Sequence, residues 1–276
     1  PRASLWAPAS RSGSVTPARV RPGAWRSPPP SSGTGAAVTV SEGVTVRLEA
    51  GEGLRLNGEP ATIEAVDRVL EALGVTARVV VETDLPLGSG FGVSGAAALG
   101  TALAANAVFD RELSENELVT IAHGAEVQAG TGLGDVVAQA RGGLPIRLEP
   151  GGPAHGAMDG VPAGGTVEYV SYGAVDTEEI ITGDTAELTA AGRRGLASLV
   201  DSPTVGTFMR TSRRFAREAE LLTPTVREVI EEVSAAGGEA AMAMLGETVF
   251  SIGTGLSEAG YDAERCEICL TGAHLR

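Results

Sequence analysis

Apolar and polar positions alternate over residues 37–41 and again over 44–48, with Glu42-Gly43 between them. That pattern predicts a β-hairpin. Ile63, Val66, Val69, Leu70 and Leu73 recur at helical spacing and Gly74 ends the run, so 61–73 predicts an amphipathic helix. The β-branched stretch 75–82 predicts a strand, and the Ala-rich stretch reaching Phe109 is apolar on nearly every side, as in a helix buried all round. Ser114 and Glu117 form a capping box for a further helix, with Leu118, Ile121, Ala122 and Ala125 as its core stripe. Gly130 to Gly134 breaks the pattern. A short helix from Asp135, the pair Gly142-Gly143 and a strand over 144–148 follow. Beyond Gly183 the spacing is mostly helical to Ala236, with Thr223-Pro224 as N-cap and first turn. Alternating segments at 239–245 and 248–252, a short helix and a strand at 266–270 close the chain. Strands and helices intermingle without an internal repeat, which is an α/β pattern.

Composition changes this picture at the start of the chain. Residues 1–36 are dominated by Pro, Ser, Arg, Gly and Ala and have no apolar period. Residues 1–41 hold five arginines and no acid; the net charge of the 276 residues is −14, so residues 42–276 carry −19. The opening segment reads either as a disordered tail or as a frame-shifted translation of the true N-terminus. The expected division is 1–36 aberrant or disordered, 37–184 an N-terminal domain and 185–276 a C-terminal domain.

All 21 basic residues are arginine. Without lysine there is no Walker-type P-loop, no protein-kinase lysine and no Schiff-base chemistry through lysine. The acidic balance argues against a nucleic-acid partner. Acid-rich and lysine-free composition predicts a salt-adapted cytosol, with GC-rich coding bias as the plainer account. No apolar run is long enough to span a membrane, so a cytoplasmic protein is expected. Two cysteines exclude a disulfide scaffold, and Cys266-x-x-Cys269 alone, in a strand pattern, points its side chains to opposite faces and predicts no metal site.

Pro86-Leu-Gly88-Ser-Gly90-Phe-Gly92-Val-Ser94-Gly95-Ala-Ala links a strand to the buried helix. Glycines let the backbone approach a phosphate closely, and the helix start offers free N–H groups and a positive dipole. Ser94 is placed there to cap the helix or to touch phosphate or metal. Gly90-x-Gly92-x-x-Gly95 also fits a dinucleotide fingerprint. That reading expects a second strand ending in an acid about 20 residues on, and Glu115 and Glu117 there belong to a helix cap.

The loop resembles the phosphate loop of the small-metabolite kinases that act on galactose, homoserine, mevalonate and phosphomevalonate. Their pattern is Pro, three residues, then Gly-Leu-Gly-Ser-Ser-Ala-Ala. This chain departs at Phe91, Val93 and Gly95 and matches at Ser94. His123 and Glu126 lie i, i+3 on one helix, and Asp135 follows the loop Gly130-Thr-Gly-Leu-Gly134. Alone, Glu126 reads as a solvated helix charge and Asp135 as an N-cap. Phosphoryl transfer uses a magnesium ligand and a group near the attacking hydroxyl. The resemblance gives those roles to Glu126 and Asp135, with Ser94 touching phosphate and Mg²⁺, and Pro86, Gly88, Gly90, Gly92, Ser94 and Gly95 forming the ATP cradle.

Two further segments, Ala-His123-Gly-Ala-Glu126 through Pro145-Ile-Arg147 and Ala241-Met-Ala-Met-Leu-Gly-Glu-Thr-Val-Phe250, resemble the archaeal pantoate kinase branch. That likeness, running from about Val38 to the C-terminus, implies pantoate as substrate, held by His123 and Arg147. It implies a two-domain fold, with an N-terminal domain of the ribosomal-protein-S5 type and a ferredoxin-like C-terminal domain. It implies ATP and Mg²⁺, and leaves a homodimer open. Another acceptor such as homoserine or mevalonate, or nucleotide binding without turnover, are the competing readings.

Overall fold

The computed structural model describes residues 2–3, 35–37, 43–85, 87–132, 134–174, 186–243 and 246–275. Among these, Arg2–Ala3 forms β1 and Gly35–Ala36 forms β2; β3 is Thr45–Glu49, β4 Leu54–Leu56, β5 Glu59–Ala61 and β6 Arg78–Glu82. A six-stranded sheet runs β13-β1-β3-β6-β4-β5, where β13 is His274–Leu275. The expected hairpin at 37–48 is corrected in part. Its second arm is β3, but β3 pairs with β6 and β1. Ala36 and Ala37 bond instead to Ile146 and Pro145 in another sheet, and residues 38–42 lie outside the described residues. Most of the aberrant 1–36 segment lies outside them too, with β1 and β2 as the two paired stretches within it.

Helix α1 (Glu64–Leu73) buries Val66, Val69 and Leu73 and ends at Gly74, which takes the left-handed conformation that glycine tolerates best. Helix α2 (Val93–Val108) is buried from Gly95 to Ala105, as its all-round apolar pattern predicts. Gly100 faces β3: a side chain there would lie 2.6 Å from Val46 Cγ2, so only glycine lets α2 settle on the sheet. Helix α3 (Glu115–Ala129) begins with the expected reciprocal Ser114–Glu117 capping box, and α4 (Asp135–Arg141) follows.

β7 (Leu144–Glu149) pairs with β2 and with β8 (Ala157–Val161). β9 (Thr166–Ala174), α5 (Ala186–Asp201), α6 (Val205–Glu218), α7 (Pro224–Ala235), β10 (Ala241–Ala243), β11 (Gly246–Ile252), α8 (Gly255–Glu258) and β12 (Glu264–Glu267) complete the order. Their antiparallel sheet runs β10-β11-β9-β12. Although β9 precedes residue 185, both its edges pair with strands from beyond it, and β13 returns to the first sheet. The main core joins α1–α3 and β3/β6 to Val167, Tyr169, Cys266 and Ile268. No helix among the described residues is long and apolar enough to cross a membrane.

Candidate active site

The glycine loop is held from both ends. Asn57 and Gly58 adopt positive φ in the β4–β5 turn, the geometry of a tight hairpin. Asn57 Nδ2 donates to the Thr83 carbonyl at 2.9 Å and Asn57 Oδ1 accepts from the Thr83 N–H at 2.9 Å, which anchors the strand end feeding the loop. Gly88, Gly90 and Gly92 all lie in the positive-φ region. Gly88 is exposed, while Gly90 and Gly92 are half-buried; Pro86 lies outside the described residues. Gly246, at the start of β11, passes so close to the Ser89 carbonyl and Gly90 nitrogen that no side chain fits. The segment 241–250 thereby touches the loop, which sequence reasoning did not anticipate; its Met244 is outside the described residues.

Gly92 is the N-cap of α2, and no side chain caps that helix start. Its first-turn N–H groups therefore face outward without a side-chain acceptor, the arrangement that binds phosphate. Ser94 does not cap. Its Oγ donates to Glu126 Oε1 at 2.5 Å, and Thr131 Oγ1 donates to the same oxygen at 3.0 Å.

Glu126 is 1% exposed, so it is no solvated helix charge. Burial raises its pKa, the Ser94 and Thr131 hydrogen bonds pull it down, and the nearby Asp135 charge raises it again. Its Oε2 is buried with no hydrogen-bond partner. Gly132 lies between this oxygen and Asp135: a Cβ there would collide with Glu126 Oε2 and sit 3.1 Å from Asp135 Oδ2. The half-buried Asp135 also has a raised pKa, from desolvation, with the Arg147 charge opposing. Two carboxylates facing one gap that glycine keeps clear, with one oxygen unpaired, fit a small divalent cation. Mg²⁺ is commonly held by one or two carboxylates together with substrate phosphates. Among the described residues no group of three or more His, Cys, Asp or Glu could hold a metal ion.

His123 and Arg147 are buried together, at 7% and 5% exposure. Arg147 Nη2 lies 3.3 Å from His123 Nε2 and donates to the Gly151 carbonyl at 3.1 Å. A guanidinium only donates, so His123 Nε2 accepts and its proton sits on Nδ1. That Nδ1 is buried without a hydrogen-bond partner. Burial and then the Arg147 charge lower the His123 pKa to about 4, which keeps the ring neutral. Gly134, the N-cap of α4, leaves room for Arg147, whose Nη1 would be 2.9 Å from a Cβ at that position. The structure thus brings Ser94, Glu126 and Asp135 together, with Arg147 linked electrostatically to Asp135 and His123 packed against Arg147.

The family "GHMP kinases N terminal domain" matches residues 61–143, the stretch from α1 through α4. A pantoate kinase of Methanocaldococcus jannaschii is 35% identical over 226 residues, covering 79% of this chain and 82% of that protein. The chain belongs to the GHMP kinases. A second GHMP relative, a pantoate kinase of Methanospirillum hungatei, is 32% identical over 238 residues, 81% of this chain and 79% of its own. Among solved structures, a phosphotransferase related to the CoA biosynthesis pathway superposes with a TM-score of 0.72 at 29% identity, covering 87% of this chain and 88% of the other. The mixed helix-and-strand architecture expected for a GHMP kinase is therefore the one this chain has.

Proposed function

We propose that this chain transfers the γ-phosphoryl group of ATP to the 4-hydroxyl of pantoate, giving 4-phosphopantoate and ADP. The observation that carries the reading is the cluster at the uncapped start of α2, where Ser94 holds Glu126 at 2.5 Å and Glu126 Oε2 faces Asp135 across Gly132. The similarity to pantoate kinases over most of the chain supports the choice of acceptor.

The N–H groups of the first turn of α2 receive the phosphates, approached closely through Gly90 and Gly92. Glu126 and Ser94 would hold Mg²⁺, which when bound would neutralise charge on the phosphates. Asp135 accepts a hydrogen bond from the attacking hydroxyl and orients it. Its raised pKa makes it a better proton acceptor than an exposed aspartate. Because phosphoryl transfer passes through a loose transition state, this positioning carries more of the acceleration than full deprotonation. Arg147 and the His123 Nδ1–H supply a cation and a neutral donor for a carboxylate, the acidic end of a hydroxy acid.

A panel of acceptors tests this. With Mg²⁺ and ATP, ADP release should follow addition of pantoate and not of homoserine or mevalonate. Turnover with another acceptor only, or ATP binding without ADP release, would reject pantoate kinase activity.

A further inference from the structure

Gln139 stands one helical turn after Asp135, on the same face of α4. Its side chain is buried and its Nε2 donates to the Gly92 carbonyl at 2.9 Å. The amide orientation is fixed by chemistry, since the flipped form would set two oxygens against each other. The same Gly92 carbonyl also accepts the first intrahelical bond of α2, from Ala96 N–H at 3.0 Å. One side chain of α4 is therefore bonded to the residue that begins the phosphate helix.

The packing around that bond is tight and built on glycine. A Cβ at Gly92 would lie 3.0 Å from both Asp135 Cβ and Gln139 Nε2, on a backbone with φ of +63°. A Cβ at Gly95 would lie 3.3 Å from Val136 Cγ2 and 3.4 Å from Asp135 Cβ. An alanine there would need Val136 to give by a few tenths of an ångström. Gln139 is itself held from behind, because its carbonyl accepts from the Ala273 N–H at 2.9 Å. Its Oε1 is buried without a hydrogen-bond partner, so the side chain stays inside although one of its polar atoms gains nothing there.

We propose that Gln139 is a positioning residue that locks α4 to the start of α2 and so sets where Asp135 stands relative to the phosphate loop. It acts through the Gly92 carbonyl, which its Nε2 holds. This inference rests on the phosphotransfer reading above for its kinetic consequence only.

Gln139→Met keeps length and bulk and removes the donor. Hydrogen exchange on the ligand-free protein reads the lock directly. The segment around Ala96 should exchange about tenfold faster in the variant, because the helix start loses an anchoring bond. Unchanged exchange there overturns the proposal whether or not pantoate is the acceptor. In turnover, Gln139→Met should lower kcat about tenfold while the ATP dissociation constant stays within about threefold, as expected for misplaced reacting groups. In an Asp135→Asn background the same change should lower kcat no further, because paired residues acting as one unit are not additive. A tenfold loss that persists in that background, or a wild-type kcat, overturns the positioning role. Absence of any transfer to pantoate by the unaltered chain refutes the acceptor assignment instead, and leaves the exchange result to decide the lock.

Discussion

Gly132→Ala probes the gap between the two carboxylates with a single methyl group. Gly132 is not among the glycines with positive φ, so the backbone accepts alanine and the cost comes from contact alone. The new Cβ would collide with Glu126 Oε2 and lie 3.5 Å from Glu126 Cδ and 3.1 Å from Asp135 Oδ2. Glu126 has nowhere to retreat: it is 1% exposed and its other oxygen is tied to Ser94 and Thr131. Overpacking of this kind costs about 1–3 kcal/mol. For a chain of this size that corresponds to a melting temperature lowered by roughly 2–10 °C. Turnover should suffer far more, because the methyl fills the gap between the two carboxylates and displaces Glu126, the proposed Mg²⁺ ligand. A loss of at least about a hundredfold in kcat is expected from removing such preorganised charge. Thermal melts and ADP-release kinetics on the same preparation separate the two effects. A variant that melts several degrees lower yet turns over within about threefold of the unaltered chain would refute the reasoning that this gap is the seat of the chemistry.

Glu126→Gln and Asp135→Asn should each cut turnover about a hundredfold or more. Yet both ligand-free variants should melt at or above the unaltered chain near neutral pH, because a carboxylate whose pKa is raised by burial destabilises the fold when ionised. A variant with normal turnover, or a clear fall in melting temperature, would contradict these assignments. Arg147→Ala should raise the KM for pantoate much more than that for ATP, and equal effects would indicate a structural role. His123 binds its proton at about 4 when folded, against 6.5 when unfolded, so the unfolded chain takes up the proton first as pH falls. Its contribution to stability is intact above the unfolded value and is lost between the two, by about 3 kcal/mol in all. Denaturant titrations of His123→Asn should show a shallower acid decline than the unaltered chain; identical slopes would contradict a buried neutral ring.

The helices were legible because their signals are local. The stop at Gly74, the Ser114–Glu117 box and the all-apolar face of α2 each report on a few neighbouring residues, and each stands as read. The β4–β5 hairpin carried a signal, Asn57-Gly58, that the apolar pattern around it was too short to reveal. Strand partners were not legible: alternation on both sides of Glu42-Gly43 suits a hairpin, but β3 is claimed by β1 and β6 through contacts distant in sequence. In the site, Ser94, Glu126 and Asp135 were singled out by the resemblance of their surrounding motifs, since alone the two carboxylates read as a helix charge and an N-cap. Their mutual geometry could not. Nothing in the spacing says that Ser94 bonds Glu126 rather than capping α2, that Gly132 stands between two carboxylates, or that Gln139 reaches back to Gly92.

Phosphorus NMR of the reaction product tests the central claim most directly. With ATP, Mg²⁺ and pantoate, this chain should yield ADP and a phosphomonoester signal split into a triplet by the two protons of the carbon at the 4-position. The Asp135→Asn protein should give little of it in the same time. A doublet, reporting transfer to the hydroxyl on the CH carbon, or inorganic phosphate as the sole new signal, would contradict the account.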